Sequence, residues 1–256
     1  MTVKLTREGD VAIVTLDRPE KLNALSEEMY EALYHHFMEL AGDKQTRAVV
    51  LTGAGRGFCA GGDVTNMANT DTVSGRARSQ KRHRMILALL DCEKPVIAAV
   101  RGGVIGIGTS LAMACDLTIA AESAYYMFAF RKVGVVPDGG AIFFLTQYLG
   151  IQRAKELVYT ARKVPAQEAR EMGLCMQVVP DGKLEDEALA LARELAGSAT
   201  FALGLAKSMF RSMYVPTIEQ LLDLEKLASA SARQTHDHKE AVAAFKEKRK
   251  PKFLGR

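Results

Sequence analysis

Apolar positions along this 256-residue chain follow two rhythms. Short runs at 11–16, 47–52, 96–100, 116–120 and 124–128 have the length and β-branched content of strands, whereas Met29, Leu33, Phe37 and Leu40 recur at helical spacing behind Ser26. Ser26 is a natural N-cap, and Glu27 and Glu28 suit the positive end of the helix dipole. Residues 81–90 predict a second helix. Strands and helices therefore alternate through the first two-thirds, which predicts an α/β fold. From 139 onward helical patterns dominate, at 139–149, 151–159, 166–171, 184–195, 201–213, 218–230 and 237–250, with one strand expected at 176–179. The polar stretch 66–79 has no clear period, and a mobile segment near the site, able to act as a lid, is the expectation there.

Two strands lead into glycine-rich turns. Val96 to Val100 reads as a strand buried on both faces, followed by Gly102, Gly103, Gly106 and Gly108 and then by good helix formers from Leu111. Ala48 to Thr52 has the same grammar and precedes Gly53, Gly55, Gly57, Gly61 and Gly62. Nine of the 21 glycines lie in these two turns. If the strands are parallel neighbours, both turns leave one sheet edge and converge on one ligand, and two backbone N–H groups from two turns are what an oxyanion hole requires.

Composition narrows the classes. With 48% hydrophobic residues the chain fills a sizeable core, and its longest apolar runs fall far short of the ~20 residues that cross a bilayer. The first ten residues carry no signal or transit pattern, so a soluble cytoplasmic protein is expected, with no membrane partner. Cys59, Cys92, Cys115 and Cys175 are scattered without metal-site spacing, which argues against zinc and against a disulfide framework. The net charge of +4 is uneven: Arg76, Arg78, Lys81, Arg82 and Arg84 form one basic run and 239–252 another, each readable as a solvated helix face or a phosphate site.

Four ordered motifs carry a resemblance: Arg18-Pro19-Glu20-Lys21-Leu22-Asn23-Ala24-Leu25, Gly57 to Asp63, Lys94 to Val100, and Ala244 to Arg249. Together, spanning about 3–253, they resemble the crotonase (enoyl-CoA hydratase/isomerase) superfamily. The resemblance implies an α/β crotonase (ClpP-like) spiral of repeated β-β-α units. Residues 1–195 would form the core with the acyl-CoA site and 196–256 a helical oligomerisation segment, in a homotrimer or dimer of trimers. It implies a coenzyme A thioester as substrate with no separate cofactor or metal, and oxyanion-hole amides at Gly62 and Ile107. It also implies coenzyme A contacts from Lys21, Ala24 and the backbone of Ala60, with Phe245 and Lys248 as a closing element that can come from a neighbouring subunit.

Acids separate the members. The positions that hold the two glutamates of water-adding hydratases carry Ser110 and Phe130, neither of which transfers a proton unaided. Asp138, in Val136-Pro137-Asp138-Gly139-Gly140, stands where the catalytic acid of the superfamily's Δ3,Δ2-enoyl-CoA isomerases stands, including the epoxyphenylacetyl-CoA isomerase branch; an ordinary helix N-cap is the bland alternative. Burial among Phe128, Phe130, Val133 and Phe143 is expected to disfavour its charge. The resulting expectation is double-bond isomerisation of an enoyl-CoA with Asp138 as acid and base. A hydratase or another thioester-enolate enzyme is the first alternative, and an RNA-binding homologue gripping through the basic runs the second, with nucleic acid the less expected partner. His35, His36, His83, His236 and His238 are read as structural or solvated, and Ser110 has no adjacent histidine to activate it.

Overall fold

A computed structural model describes residues 2–66, 71–212 and 218–252. In chain order the elements are β1 (Val3–Glu8), β2 (Val11–Leu16), α1 (Glu27–Gly42), β3 (Ala48–Gly53), α2 (Thr72–Asp91), β4 (Val96–Val100), β5 (Gly103–Ile105) and α3 (Ile107–Ala114). There follow β6 (Leu117–Ala121), β7 (Tyr125–Met127), α4 (Ala141–Thr160), β8 (Val164–Pro165), α5 (Ala166–Met172), β9 (Gln177–Val179), α6 (Leu184–Ala196), α7 (Thr200–Ser212), α8 (Ile218–Arg233) and α9 (His236–Lys246).

The strands form a six-stranded sheet of order β1-β2-β3-β4-β6-β9 and a three-stranded sheet of order β5-β7-β8. Only the β1–β2 pair of the large sheet is antiparallel. Its central strands are apolar on both sides because both faces are covered. Val50, Ile97, Ala99 and Ile119 meet α6, whose Ala188, Ala192 and Ala196 let the helix lie close to the sheet. The alternate residues Val49, Leu51, Ala98 and Val100 belong to the main core with Leu33, Phe37 and Leu111. Val49 pairs with Val96 and Thr52 with Ala99, so β3 and β4 end together and their glycine turns leave the same edge.

Helix α1 matches expectation, with the Met29 amide donating to Ser26 Oγ at 3.3 Å and the whole stripe buried. Other expectations need correction. Residues 72–79, expected as part of a mobile lid, are the first turns of α2, started by Asp71, which accepts from the Ser74 amide; 67–70 lie outside the described residues. The two helices expected at 139–149 and 151–159 are present as the two parts of α4, which starts at Ala141 and is broken at Gly150, where the backbone is non-helical with φ 72°. The last helix stops at Lys246 rather than 250. Strand β1 carries a single fully buried residue, so its pattern gave no clear alternation, and three-residue β5 is hidden inside the glycine turn. Helix α8 packs back along α2, and α9 reaches the short turn of 129–133, where His238 Nδ1 lies 2.8 Å from the Val133 carbonyl oxygen.

Candidate active site

The first glycine turn is zipped between two neighbours. Phe58 and Cys59 donate to the carbonyls of Arg101 and Gly103, and Ile105 donates back to Cys59, at 2.8, 3.0 and 2.9 Å. On its other side Leu25 donates to Gly61 at 2.8 Å and Asp63 to Leu25 at 2.9 Å. Asn23, fully buried at a positive φ of 56°, holds the entry: its Oδ1 accepts from the Arg18 amide, and its Nδ2 donates to the carbonyls of Ala54 and Gly57. Glycine is obligatory where the second turn crosses the first. At Gly102, with φ +53°, a Cβ would stand 2.1 Å from the Arg56 carbonyl oxygen.

This zipping does not engage every amide. Among the described residues neither the Gly62 nor the Ile107 N–H meets a main-chain acceptor, whereas the Asp63 and Gly106 amides beside them donate to the carbonyls of Leu25 and Met127. Ile107 is the first residue of α3, where the amide has no intrahelical partner and the helix dipole adds positive potential. The two turns are close: a Cβ on Gly106 would lie 3.7 Å from Gly61 Cα.

The segment that carries Asp138 packs against the start of α3. Asp138 precedes Gly139, where a Cβ would come within 3.2 Å of the Ile107 side chain and 3.1 Å of Ser110 Cβ, so only glycine lets the segment approach α3. Ser110 Oγ donates to the Asp138 carbonyl at 2.8 Å, which gives the buried serine an anchoring role. Asp138 is not the N-cap of α4, which is Gly140. It is the one acidic residue among the buried polar residues described.

Its surroundings differ from the apolar ones expected. Arg82 of α2, itself buried, places Nε 3.2 Å from Asp138 Oδ2 and donates from Nη2 to Ser79 Oγ at 2.8 Å, while Oδ1 has no hydrogen-bond partner among the described residues. A guanidinium beside a carboxylate favours its charged form, so burial does not act alone here. Phe143 instead lines a different cavity, and Val133 turns towards α9. Arg82, Arg233, Tyr30 and Gly62 line a cavity of about 350 Å³. Burial, and then Arg82, push the Arg233 guanidinium down, and burial pushes the Tyr30 phenol up, so the phenol stays protonated at neutral pH. At the rim Arg18 binds Asp63 at 2.7 Å; burial opposes that charge, yet the Thr65 hydroxyl and amide together with Arg18 hold Asp63 at about 2.

The remaining predicted positions divide into two groups. Lys21, Ala24 and Ala60 come together: Ala24 donates to Lys21 and Ala60 to Leu22, and the Ala60 carbonyl accepts no bond among the described residues. Ala60 and Leu22 border a cavity of about 320 Å³. Phe245 and Lys248 are exposed near the end of α9, and no hydrogen bond or ion pair joins them to that group among the described residues. The basic run on α2 is neither a free face nor a cluster: Arg78 and Lys81 pair with Glu27 of α1, Arg84 stacks on Tyr34 and Arg82 turns inward. Cys59 is buried and its thiol is pushed up to about 12 by burial, which makes it no nucleophile. Arg82, Arg233 and Asn23 are what sequence reasoning missed as site residues. Asn23 lay within a quoted motif and Arg82 within a basic run, but neither pattern pointed to these roles, and Arg233 gave no local signal.

Comparison with known proteins agrees with this geometry. The family described as enoyl-CoA hydratase/isomerase matches residues 6–256. A 1,2-epoxyphenylacetyl-CoA isomerase of Escherichia coli is 39% identical over 254 residues, 97% of each chain. A probable enoyl-CoA hydratase of Rhodobacter capsulatus is 36% identical, covering 100% of this chain and 98% of its own. The crystal structure of an enoyl-CoA hydratase/isomerase from Pseudoalteromonas atlantica superposes with a TM-score of 0.90 at 31% identity, over 99% of this chain and 100% of the other. Two glycine turns with spare amides, a neighbouring buried acid and a match along nearly the whole length lead to one assignment: the chain belongs to the enoyl-CoA hydratase/isomerase family and has the crotonase fold.

Proposed function

We propose that this protein moves the double bond of an enoyl-CoA thioester from C3–C4 to C2–C3, with Asp138 as the single acid and base. The observation that carries the reading is that Asp138 is the one buried acid described and has an unengaged Oδ1. The thioester carbonyl oxygen would accept from the Gly62 and Ile107 amides. The Asp138 carboxylate takes a proton from C2, the electron pair delocalises into the carbonyl as a dienolate, and the same carboxyl returns the proton to C4. No water is added or lost. Developing charge on the oxygen is stabilised by donors already in place, each worth on the order of 3 kcal/mol in such sites.

Lys21, Ala24 and Ala60 would then face coenzyme A, with Phe245 and Lys248 closing over it from a subunit neighbour. Exposed Phe201, Met209 and Phe210 on α7 suit residues 196–256 to subunit packing as a trimer or a dimer of trimers.

The names of relatives include both activities, and Ser110 and Phe130 at the positions of the hydratase glutamates favour isomerisation. The test is incubation of 3-enoyl-CoA and 2-enoyl-CoA in D2O. Wild type should convert the first to the second without net hydration, and Asp138→Asn should lose on the order of 10³-fold in rate while staying folded. Unchanged migration in Asp138→Asn, or net 3-hydroxyacyl-CoA formation as the main reaction, would overturn the reading.

A further inference from the structure

Arg82 does not belong to the motifs that mark this family, yet it forms an ion pair with Asp138 from across the fold. Nineteen-twentieths of its side chain is buried (5% exposed), as is most of that of Asp138 (10% exposed), and the pair joins α2 to the segment before α4. Its contact is asymmetric: Nε meets Oδ2 at 3.2 Å and leaves Oδ1 without a partner among the described residues. Arg82 is in turn fixed by Ser79 Oγ at 2.8 Å, which itself donates to the Gly75 carbonyl one turn earlier. On the other side of the acid, Ser110 holds the Asp138 main chain. The acid is thus held at its main chain by Ser110, and its carboxylate faces the Arg82 guanidinium across an ion pair.

We infer that Arg82 is a positioning residue for Asp138: its guanidinium faces Oδ2 and sets the orientation of the carboxylate towards the reacting carbons. This rests on the isomerase reading of the site. A lone carboxyl buried beside apolar side chains would be protonated and unable to begin the reaction as a base, whereas a fixed guanidinium cannot lose its proton and so supplies a permanent counter-charge. The groups facing the pair are Arg233 and Tyr30, both buried, with Arg78 beyond them already bound to Glu27 at 2.6 Å. Arg233 adds to the positive potential at Asp138, and Tyr30 stays neutral, so neither competes as a base.

Two measurements test this on the full-length protein. Carboxyl ¹³C NMR titration of Asp138 needs no turnover: Arg82→Met should raise its titration midpoint by about one to two pH units, and Arg82→Lys, which keeps the charge, should restore most of the difference. In turnover, Arg82→Met should lower kcat about 100-fold with KM changed less than about three-fold, and move the acid limb of kcat/KM upward by the same one to two units. Arg233→Met, further away, should move the titration in the same direction by less. If Arg82→Met shifts the midpoint as expected but wild type moves no double bond, the isomerase reading fails and the positioning role stands. A midpoint of Asp138 unmoved in Arg82→Met, or a loss confined to KM, would overturn the inference. If Arg82→Met does not fold, Arg82→Lys and Arg82→Gln decide by the same titration, the first near wild type and the second shifted; equal midpoints would contradict the role.

Discussion

Two cavities of this molecule differ in what lines them. The larger, about 490 Å³, lies between α4 and α7 and is walled by Phe143, Phe144, Leu203 and Phe210. The smaller, about 350 Å³, is walled by Gly62, Tyr30, Arg82 and Arg233. Volume and apolar surface favour the first as a place for an acyl chain, but chemistry favours the second. It has a backbone amide without an acceptor, and it reaches an acid through Arg82. A thioester enolate needs fixed donors and one proton carrier, and of these two cavities the smaller is the one lined by Gly62 and by Arg82, the ion-pair partner of Asp138.

The comparison is broken most directly on the polar side. Ile107→Pro deletes one of the two proposed donors at the first position of α3, where proline's missing N–H and fixed φ suit a helix start. It should lower kcat by about 10²–10³-fold with the fold retained, as steady-state kinetics and circular dichroism would show. Gly102→Ala attacks the crossing of the turns. A positive φ and a Cβ 2.1 Å from a main-chain oxygen should lower stability by at least about 3 kcal/mol in denaturant titration, because main chain rather than a flexible side chain must move.

Smaller effects sharpen it. His83 of α2 is buried, and burial, followed by neighbouring Arg82, pushes its imidazole down to about 3 from 6.5. The unfolded chain therefore binds a proton that the folded protein refuses: stability is fully present above pH 6.5 and is lost as pH falls towards 3, by up to about 1.4 kcal/mol per pH unit. His83→Leu should flatten that slope in urea titrations between pH 6.5 and 4. Least is expected from Ala206→Leu, which narrows the larger cavity and should leave kcat/KM for enoyl-CoA within about two-fold. A ten-fold loss there would move the acyl site to the apolar cavity.

Much of this was legible in the sequence where a local pattern controls the outcome. Ser26 with the Met29, Leu33, Phe37 and Leu40 stripe defined α1, and the β-branched runs at 48–52 and 96–100 became the paired strands whose ends carry the glycine turns. Gly62, Ile107 and Asp138 fall on turns and helix starts, which glycine and proline mark. What stayed hidden depends on contacts between distant segments. The beginning of α2 has no apolar period because its arginines face the acids of α1 and the inside of the site. Arg82 meets Asp138 across 56 positions, and Arg233 arrives at the end of α8, three residues past 230, where that helix was expected to stop. A basic run read alone looks solvated; only the fold shows which of its members turns inward.

The central claim is that the Gly62 and Ile107 amides grip one thioester carbonyl. Difference infrared spectroscopy of a bound acyl-CoA carrying ¹³C at that carbon tests it: the carbonyl band should shift to lower frequency in wild type, and return towards its value in water in Ile107→Pro. A band unshifted in wild type, or a shift that survives Ile107→Pro intact, would contradict it.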